Sequence, residues 1–321
     1  MKLFFWIVAA LVTLAAAAYV IAPFFRPVLD DGVRAAAKPE PGMPAELIFA
    51  TIPGPHGEIH VRVSDPGEGN AGTIVLLHGF SNPSYVWRDY FKPLSEAGYL
   101  VVAPDFYGRG YSDRPAGPYD EALYLAQVDA VVDYYSNQRP AHVIGYSMGG
   151  SIAARYAARY PDKVETVGLI APAGLACGAS MASPMVWPGF GDWIFRVLGP
   201  WILESYAGGD WIEAKDPDYW RARYREMARY RGYEEALLST VRNFNMLDSC
   251  AAMKSVKASG KRVLAAFGEA DKTIPIAHAD VLAGYPGNAR IVRVPGRGHS
   301  VTYAAPEAIV PEILKLVSLE P

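Results

Sequence analysis

Several short runs of aliphatic and β-branched residues fix the frame of this chain: TIVLL (73–77), YLVVAP (99–104), AHVIG (141–145), VETVGLI (164–170) and RVLAAF (262–267). Most lack the alternation of apolar and polar residues that marks a half-exposed strand. They read as strands covered on both faces, as in a parallel sheet held between helices. AELIFA (45–50), IHVRV (59–63) and ARIVRV (289–294) extend the set to eight. Helical stretches are expected around 85–97, 120–137, 148–160, 276–285 and 305–318. Strand and helix in alternation predict a doubly wound α/β sheet, mostly parallel, that admits antiparallel first strands.

Residues 175–255 break the alternation. They contain no clear strand and are rich in Met, Trp, Tyr and Arg, as in MVWPGFGDWIFRVLGPW and YWRARYREMARYRGYEEALL. This segment is expected to be a helical insertion after the sixth strand. Ligands of open α/β sheets bind beyond the carboxyl ends of the strands, so an insertion at that end is expected to cap a pocket. The expected organisation is therefore core at 45–174 and 256–321, with a cap at 175–255.

The N-terminus adds a second constraint. Leu3 to Phe25 is apolar except for Thr13 and Pro23, and Lys2 and Arg26 flank it. At 1.5 Å per residue it reaches roughly 34 Å, enough for a bilayer core of about 30 Å. Its length argues for a retained anchor (1–26) over a cleavable signal peptide, although Ala15–Ala18 supplies small residues suited to cleavage. Lys2 and the amino terminus favour a cytoplasmic start and an extracytoplasmic domain, a bias that Arg26 and Arg34 dilute. Residues 27–44, rich in Asp, Ala, Pro and Gly, are expected to be a semi-extended tether. Net charge is −3 with a pI near 6.1 and no basic run, which disfavours nucleic acid as a partner. Cys177 and Cys250 are far apart and outside any C-x-x-C pattern. They argue against a zinc site or a disulfide framework and leave room for a single bridge.

GYSMGG (145–150) puts Ser147 at G-x-S-x-G spacing, a pattern that a chain with 30 glycines also produces by chance. Context gives it weight. AHVIG leads into it as a strand and MGGSIAARYAARY leaves it as a helix, so Ser147 sits on a sharp strand-to-helix turn with free N–H groups behind it. A serine nucleophile needs a base. Of the six histidines, His56, His60 and His142 precede or begin strands at the wrong end, and His278 starts a helix. His299, in VPGRGHS, follows the last strand and is the candidate base. The acid that orients it is expected at Asp271 in FGEADKTIP, with Glu269 as the alternative and Asp248 as a more remote one. Backbone N–H groups of Met148 and of Phe80, in LLHGFSNPSYVW, are the candidate oxyanion hole. His78 is expected to be structural, and Asp105 and Arg109 of DFYGRGYSDRP to brace the surrounding loops.

HGF, DFYGRGYSDRP, GYSMGG, FGEADKTIP and GRGH stand in the order in which they occur in the serine α/β-hydrolase superfamily, which the chain resembles across nearly all of residues 45–318. The resemblance implies an α/β-hydrolase fold with a helical cap, a Ser147–His299–Asp271 triad, and no metal or organic cofactor. Serine at 147 disfavours the aspartate-nucleophile relatives, the haloalkane dehalogenases and epoxide hydrolases. With the N-terminal anchor, HGFS and SMGG are similar to membrane-bound monoacylglycerol lipase-like hydrolases. The expected reaction is hydrolysis of carboxylic esters of lipid or other apolar acyl chains, through an acyl-enzyme. The alternatives are a C–C bond hydrolase of diketone ring-cleavage products and a catalytically silent membrane protein of the same fold. Acyl length, the alcohol group and oligomeric state are not legible in the sequence.

Overall fold

The computed structural model describes residues 2–39, 47–67, 70–181 and 183–318. The first two residues of the expected strand at 45–50, the last five of the tether and the final three of the chain lie outside these. An apolar helix, α1 (Lys2–Ile21), leads through a short 3-10 turn to α2 (Asp31–Ala36), whose N-cap Asp30 accepts a hydrogen bond from Val33 N–H at 2.8 Å. The strands follow as β1 (Leu47–Gly54), β2 (Gly57–Ser64), β3 (Gly72–Leu77), β4 (Tyr99–Pro104), β5 (Ala141–Tyr146), β6 (Val164–Ile170), β7 (Arg262–Gly268) and β8 (Arg290–Val294).

The eight form one sheet in the order β1-β2-β4-β3-β5-β6-β7-β8. β1 pairs antiparallel with β2, and β2 antiparallel with β4; all other pairs are parallel. The expected mixed sheet is therefore present, with its antiparallel strands at the start. Ile74, Val75, Leu76 and Leu77 of β3 have no exposed surface, as unbroken aliphatic runs require when both faces are covered. Helices α3 (Phe91–Glu96) and α13 (Pro306–Ser318) lie on one face. On the other are α4 (Glu121–Tyr135), α5 (Met148–Arg159), α10 (Cys250–Ala258) and α11 (Ala277–Ala283). From β3 the chain first builds β4 on one side, then crosses to β5 on the other. The strand order thus reverses between β3 and β5, the place where open α/β sheets form their ligand crevice.

Between β6 and α10 the insertion folds as α6 (Phe190–Val197), α7 (Gly199–Trp211), α8 (Pro217–Ala228) and α9 (Tyr233–Asn243). Met253 and Val256 of α10 join the apolar core on the α5 face of the sheet. The inserted helices therefore end before Cys250, earlier than the expected boundary at 255. At the base of the insertion, Leu175 bridges Asp248, Ser249 N–H donates to Gly174 O at 2.7 Å, and Cys177 is disulfide-bonded to Cys250. This is the single bridge for which the sequence left room.

The described part of the linker is not a loose tether. Leu29, Val33 and Ala37 pack against the core. Arg26 pairs with Glu234 of α9, whose side chain has no exposed surface, and donates to Arg196 O at 2.8 Å. Arg34 pairs with Asp113 and donates to Tyr111 O at 3.0 Å. The composition of residues 30–44 gave no sign of these contacts, because the acceptors lie 77 and more residues away.

Candidate active site

All of the residues singled out for chemistry lie at the carboxyl ends of strands. Ser147 follows β5 with φ 54° and ψ −118°, a left-handed conformation that a side chain adopts only at a cost of about 1–3 kcal/mol. Ser147 N–H donates to Ile170 O at 2.9 Å, and its own carbonyl accepts Ala173 N–H at 3.0 Å. The flanking glycines have steric causes. A Cβ on Gly145 would overlap the carbonyl of Gly149, and one on Gly149 would overlap the carbonyl of Leu77. The G-x-S-x-G spacing is thus what allows α5 to start so close to β3 and β5.

His299, in the loop between β8 and α12 (Val301–Ala304), brings Nε2 to 2.9 Å from Ser147 Oγ. Its Nδ1 lies 2.9 Å from Asp271 Oδ2, in the loop after β7. With Nδ1–H donating to the carboxylate, Nε2 is free to accept the serine hydroxyl proton. Asp271 Oδ1 accepts Thr273 N–H at 2.8 Å and Ile274 N–H at 2.7 Å, so three donors hold the carboxylate in place. Ser147, Asp271 and His299 are 9%, 6% and 8% exposed, dry enough to strengthen the electrostatics between them, and Ser147 and His299 line the cavity. Glu269 is exposed, and Asp248 caps Gly178 and Cys250 N–H at the base of the insertion; neither reaches His299.

Phe80 follows β3 and lines the same cavity as Ser147, while Met148 opens α5, fully buried. Arg109, also fully buried, donates to Phe80 O at 3.2 Å, to Tyr124 Oη at 2.8 Å and to Thr240 Oγ1 of α9 at 2.8 Å. It ties the Phe80 loop to the inserted helices. His78 accepts Phe106 N–H on Nε2 at 2.8 Å, and its Nδ1 lies 2.8 Å from Gly79 O. Burial lowers its pKa to about 4, so it stays neutral and structural. Burial alone would raise the Asp105 carboxyl, but the hydrogen bond and charge of His60, with Arg62 and His78 nearby, hold it well below the usual range. That carboxylate accepts from Ser84 N–H and Oγ and from Tyr111 N–H, bracing the loops after β3 and β4. Sequence reasoning passed over two residues that hold the histidine loop. Tyr146, inside GYSMGG itself, donates to His299 O at 3.0 Å. Glu213, from the α7–α8 connection, accepts from residues on both sides of His299. The first could have been suspected from its place in the motif; nothing local marks the second.

The cavity above Ser147 measures about 430 Å³. Phe80, Phe195, Ala207, Val241, Leu247 and Ile274 make much of its wall, and among the described residues that line it there is no lysine or arginine. Among the described residues, no three His, Cys, Asp or Glu side chains gather in a metal-binding group.

Residues 74–312 match the alpha/beta hydrolase family. The chain is 32% identical over 273 residues to the dihydrolipoyllysine-residue acetyltransferase component of the acetoin cleaving system of Cupriavidus necator, covering 81% of this chain and 67% of that one. It is 27% identical over 245 residues to the 2-hydroxy-6-oxo-6-phenylhexa-2,4-dienoate hydrolase of Comamonas testosteroni, 72% of this chain and 82% of that one. Among solved structures, the enol-lactonase of Burkholderia xenovorans LB400 superposes with a TM-score of 0.72 at 22% identity, over 84% of this chain and all of that one. A membrane phospholipase A superposes with a TM-score of 0.67 at 23% identity, over 99% of this chain and 98% of that one. Motif order, sheet topology and family match agree: this chain belongs to the alpha/beta hydrolase family.

Proposed function

We propose that this protein is a membrane-anchored serine hydrolase that cleaves carboxylic esters of lipid or other apolar acyl chains, in the manner of monoacylglycerol lipases. The observation that carries the reading is the continuous line Asp271–His299–Ser147, each contact 2.9 Å, ending in an apolar cavity. Ser147 attacks the ester carbonyl while His299 Nε2 takes its proton, and Asp271 stabilises the imidazolium. The N–H groups of Phe80 and Met148 receive the oxyanion. His299 then protonates the departing alkoxide, and a water molecule activated by the same histidine releases the acid.

The membrane part of the proposal rests on how α1 meets the inserted helices. Trp193 Nε1 donates to Ala15 O at 2.8 Å, and the Arg196 guanidinium lies 4.6 Å over the Tyr19 ring. A segment with such partners in the folded domain has a reason to be retained. Trp187, Phe190 and Trp201 on the same insertion are 61%, 54% and 74% exposed, the residue types that settle at a lipid–water boundary. The Cys177–Cys250 bridge supports an oxidising, extracytoplasmic setting.

The second reading is a C–C bond hydrolase, favoured by the likeness to the Comamonas dienoate hydrolase. A dienoate carries a carboxylate that needs a cationic partner, and among the described residues that line the cavity there is no lysine or arginine; this supports a neutral acyl chain. Turnover of p-nitrophenyl esters of graded chain length, against a ring-cleavage dienoate, decides between them. Ester turnover that rises with chain length supports the lipid reading. Turnover of the dienoate alone would overturn it, and no fluorophosphonate labelling of the intact protein would overturn both.

A further inference from the structure

One carboxylate leaves the inserted helices and reaches the core loop that carries His299. Glu213 Oε2 accepts hydrogen bonds from Gly298 N–H and from the Ser300 hydroxyl, each at 2.8 Å. The two donors are the immediate neighbours of His299 on either side. The reach of Glu213 is fixed at its own end: Trp211 and Ala214 are 1% and 6% exposed, and Ala214 N–H donates to Trp211 O at 3.0 Å. Two donors on one carboxylate oxygen make charge-assisted bonds, stronger than neutral ones.

Gly298 belongs to the same contact. A Cβ added there would meet Glu213 Oε1 at 2.7 Å, Oε2 at 3.1 Å and Cδ at 3.2 Å; these are the three nearest atoms. The φ of Gly298 is not positive, unlike that of Gly296 at 66°, so its backbone does not call for glycine. A side chain there would displace the Glu213 carboxylate.

We propose that Glu213 is a positioning residue through which the inserted helices set the placement of the His299 loop, so that the imidazole meets Ser147 only while those helices are seated. The proposal rests on the reading of His299 as the base. On the core side the loop is held by Ala270 N–H, which donates to Arg297 O at 2.9 Å, by Tyr146 through the His299 carbonyl and by Tyr90, which donates to Thr302 O at 2.7 Å. None of these three contacts holds both neighbours of His299 at once, as Glu213 does. A histidine displaced by about 1 Å loses on the order of a hundredfold in rate.

The test measures kcat, KM and thermal denaturation with a short p-nitrophenyl ester for Glu213→Ala, Glu213→Gln, Gly298→Ala and the Glu213→Ala/Gly298→Ala pair, beside Ser147→Ala. Glu213→Ala is expected to lower kcat roughly ten- to a hundredfold and to leave KM within about twofold, since it displaces the base and not the substrate. Glu213→Gln keeps an acceptor oxygen and is expected to recover most of the rate. Gly298→Ala, which pushes the carboxylate away, is expected to match Glu213→Ala and to add little to it in the pair. An unchanged kcat in folded Glu213→Ala, whatever its melting temperature, overturns the proposal, and so does full additivity of the two changes. Turnover that survives Ser147→Ala overturns the underlying reading instead.

Discussion

At the scale of single residues, the site is built by long-range contacts between positions that each follow a strand. Ser147→Ala is expected to abolish fluorophosphonate labelling and to lower ester turnover by about 10⁴-fold or more. Asp271→Asn should cost about 10³–10⁴-fold, because the amide offers Nδ1–H a poorer partner and favours the wrong tautomer. Glu269→Gln, at an exposed position, should leave the rate within about twofold; the reverse ranking of the two would move the acid to Glu269. That Ser147, Asp271 and His299 come together was legible because each follows a strand of the sheet within five residues, in that order along the chain. Asp271 was preferred to Glu269 on the sequence, and its carboxylate is the one that lies 2.9 Å from His299 Nδ1, while Glu269 is exposed. Glu213 was illegible for a physical reason: it lies in an insertion without strands, and the loop it grips is 85 residues away.

At the scale of elements, two ties fasten parts that the sheet alone would not hold. Arg26 at the foot of the N-terminal helix neutralises Glu234 inside the inserted helices. Arg26→Ala would leave a fully buried carboxylate without its cation, a loss expected at about 3–5 kcal/mol, read as a lower melting temperature in detergent. Replacing both partners together, Arg26→Met with Glu234→Leu, should restore much of that loss; a melting temperature as low as that of the single variant would show that the charge pair is not the cause. The second tie, Cys177–Cys250, closes a loop of 73 residues. Loop closure of that length is worth up to about 4 kcal/mol, so reduction, or Cys177→Ala with Cys250→Ala, should lower the denaturation midpoint by a corresponding amount. The inner strands were readable because burial on both faces writes itself into composition; β1 and β8, at the edges, are partly exposed. The inserted helices were not resolved one by one, since their apolar residues serve three neighbours at once: the sheet, the cavity and α1.

At the scale of the whole molecule, stability is tied to pH by two buried imidazoles away from the reacting atoms. Burial lowers both His78 and His142 to about 4, with the charge of Arg262 adding to the effect on His142. In the unfolded chain both titrate near 6.5. Between these values the unfolded chain binds more protons, so stability is fully present above about 6.5 and falls as pH drops towards about 4, by up to a few kcal/mol per histidine. Melting temperature recorded from pH 7 to pH 4 should decline through that window. His142→Gln, which can keep the contact to Thr166 Oγ1, should flatten part of the decline; an unchanged slope would assign it to other groups. The sequence conveyed the sheet, the helical insertion after its sixth strand and the N-terminal apolar helix. It did not convey that the linker is strapped to the domain, because opposite charges show no partner until the chain is folded. The meeting of both ends of the insertion at Gly174 to Cys177 and Asp248 to Cys250 has a further consequence. Part of the wall that meets a ligand, and the Ser147, Asp271 and His299 side chains, are written in different stretches of chain. Helices between those two points can be lengthened, shortened or exchanged without shifting the register of any strand, so a new diet can be acquired as long as the carboxylate that Glu213 brings to the His299 loop is kept.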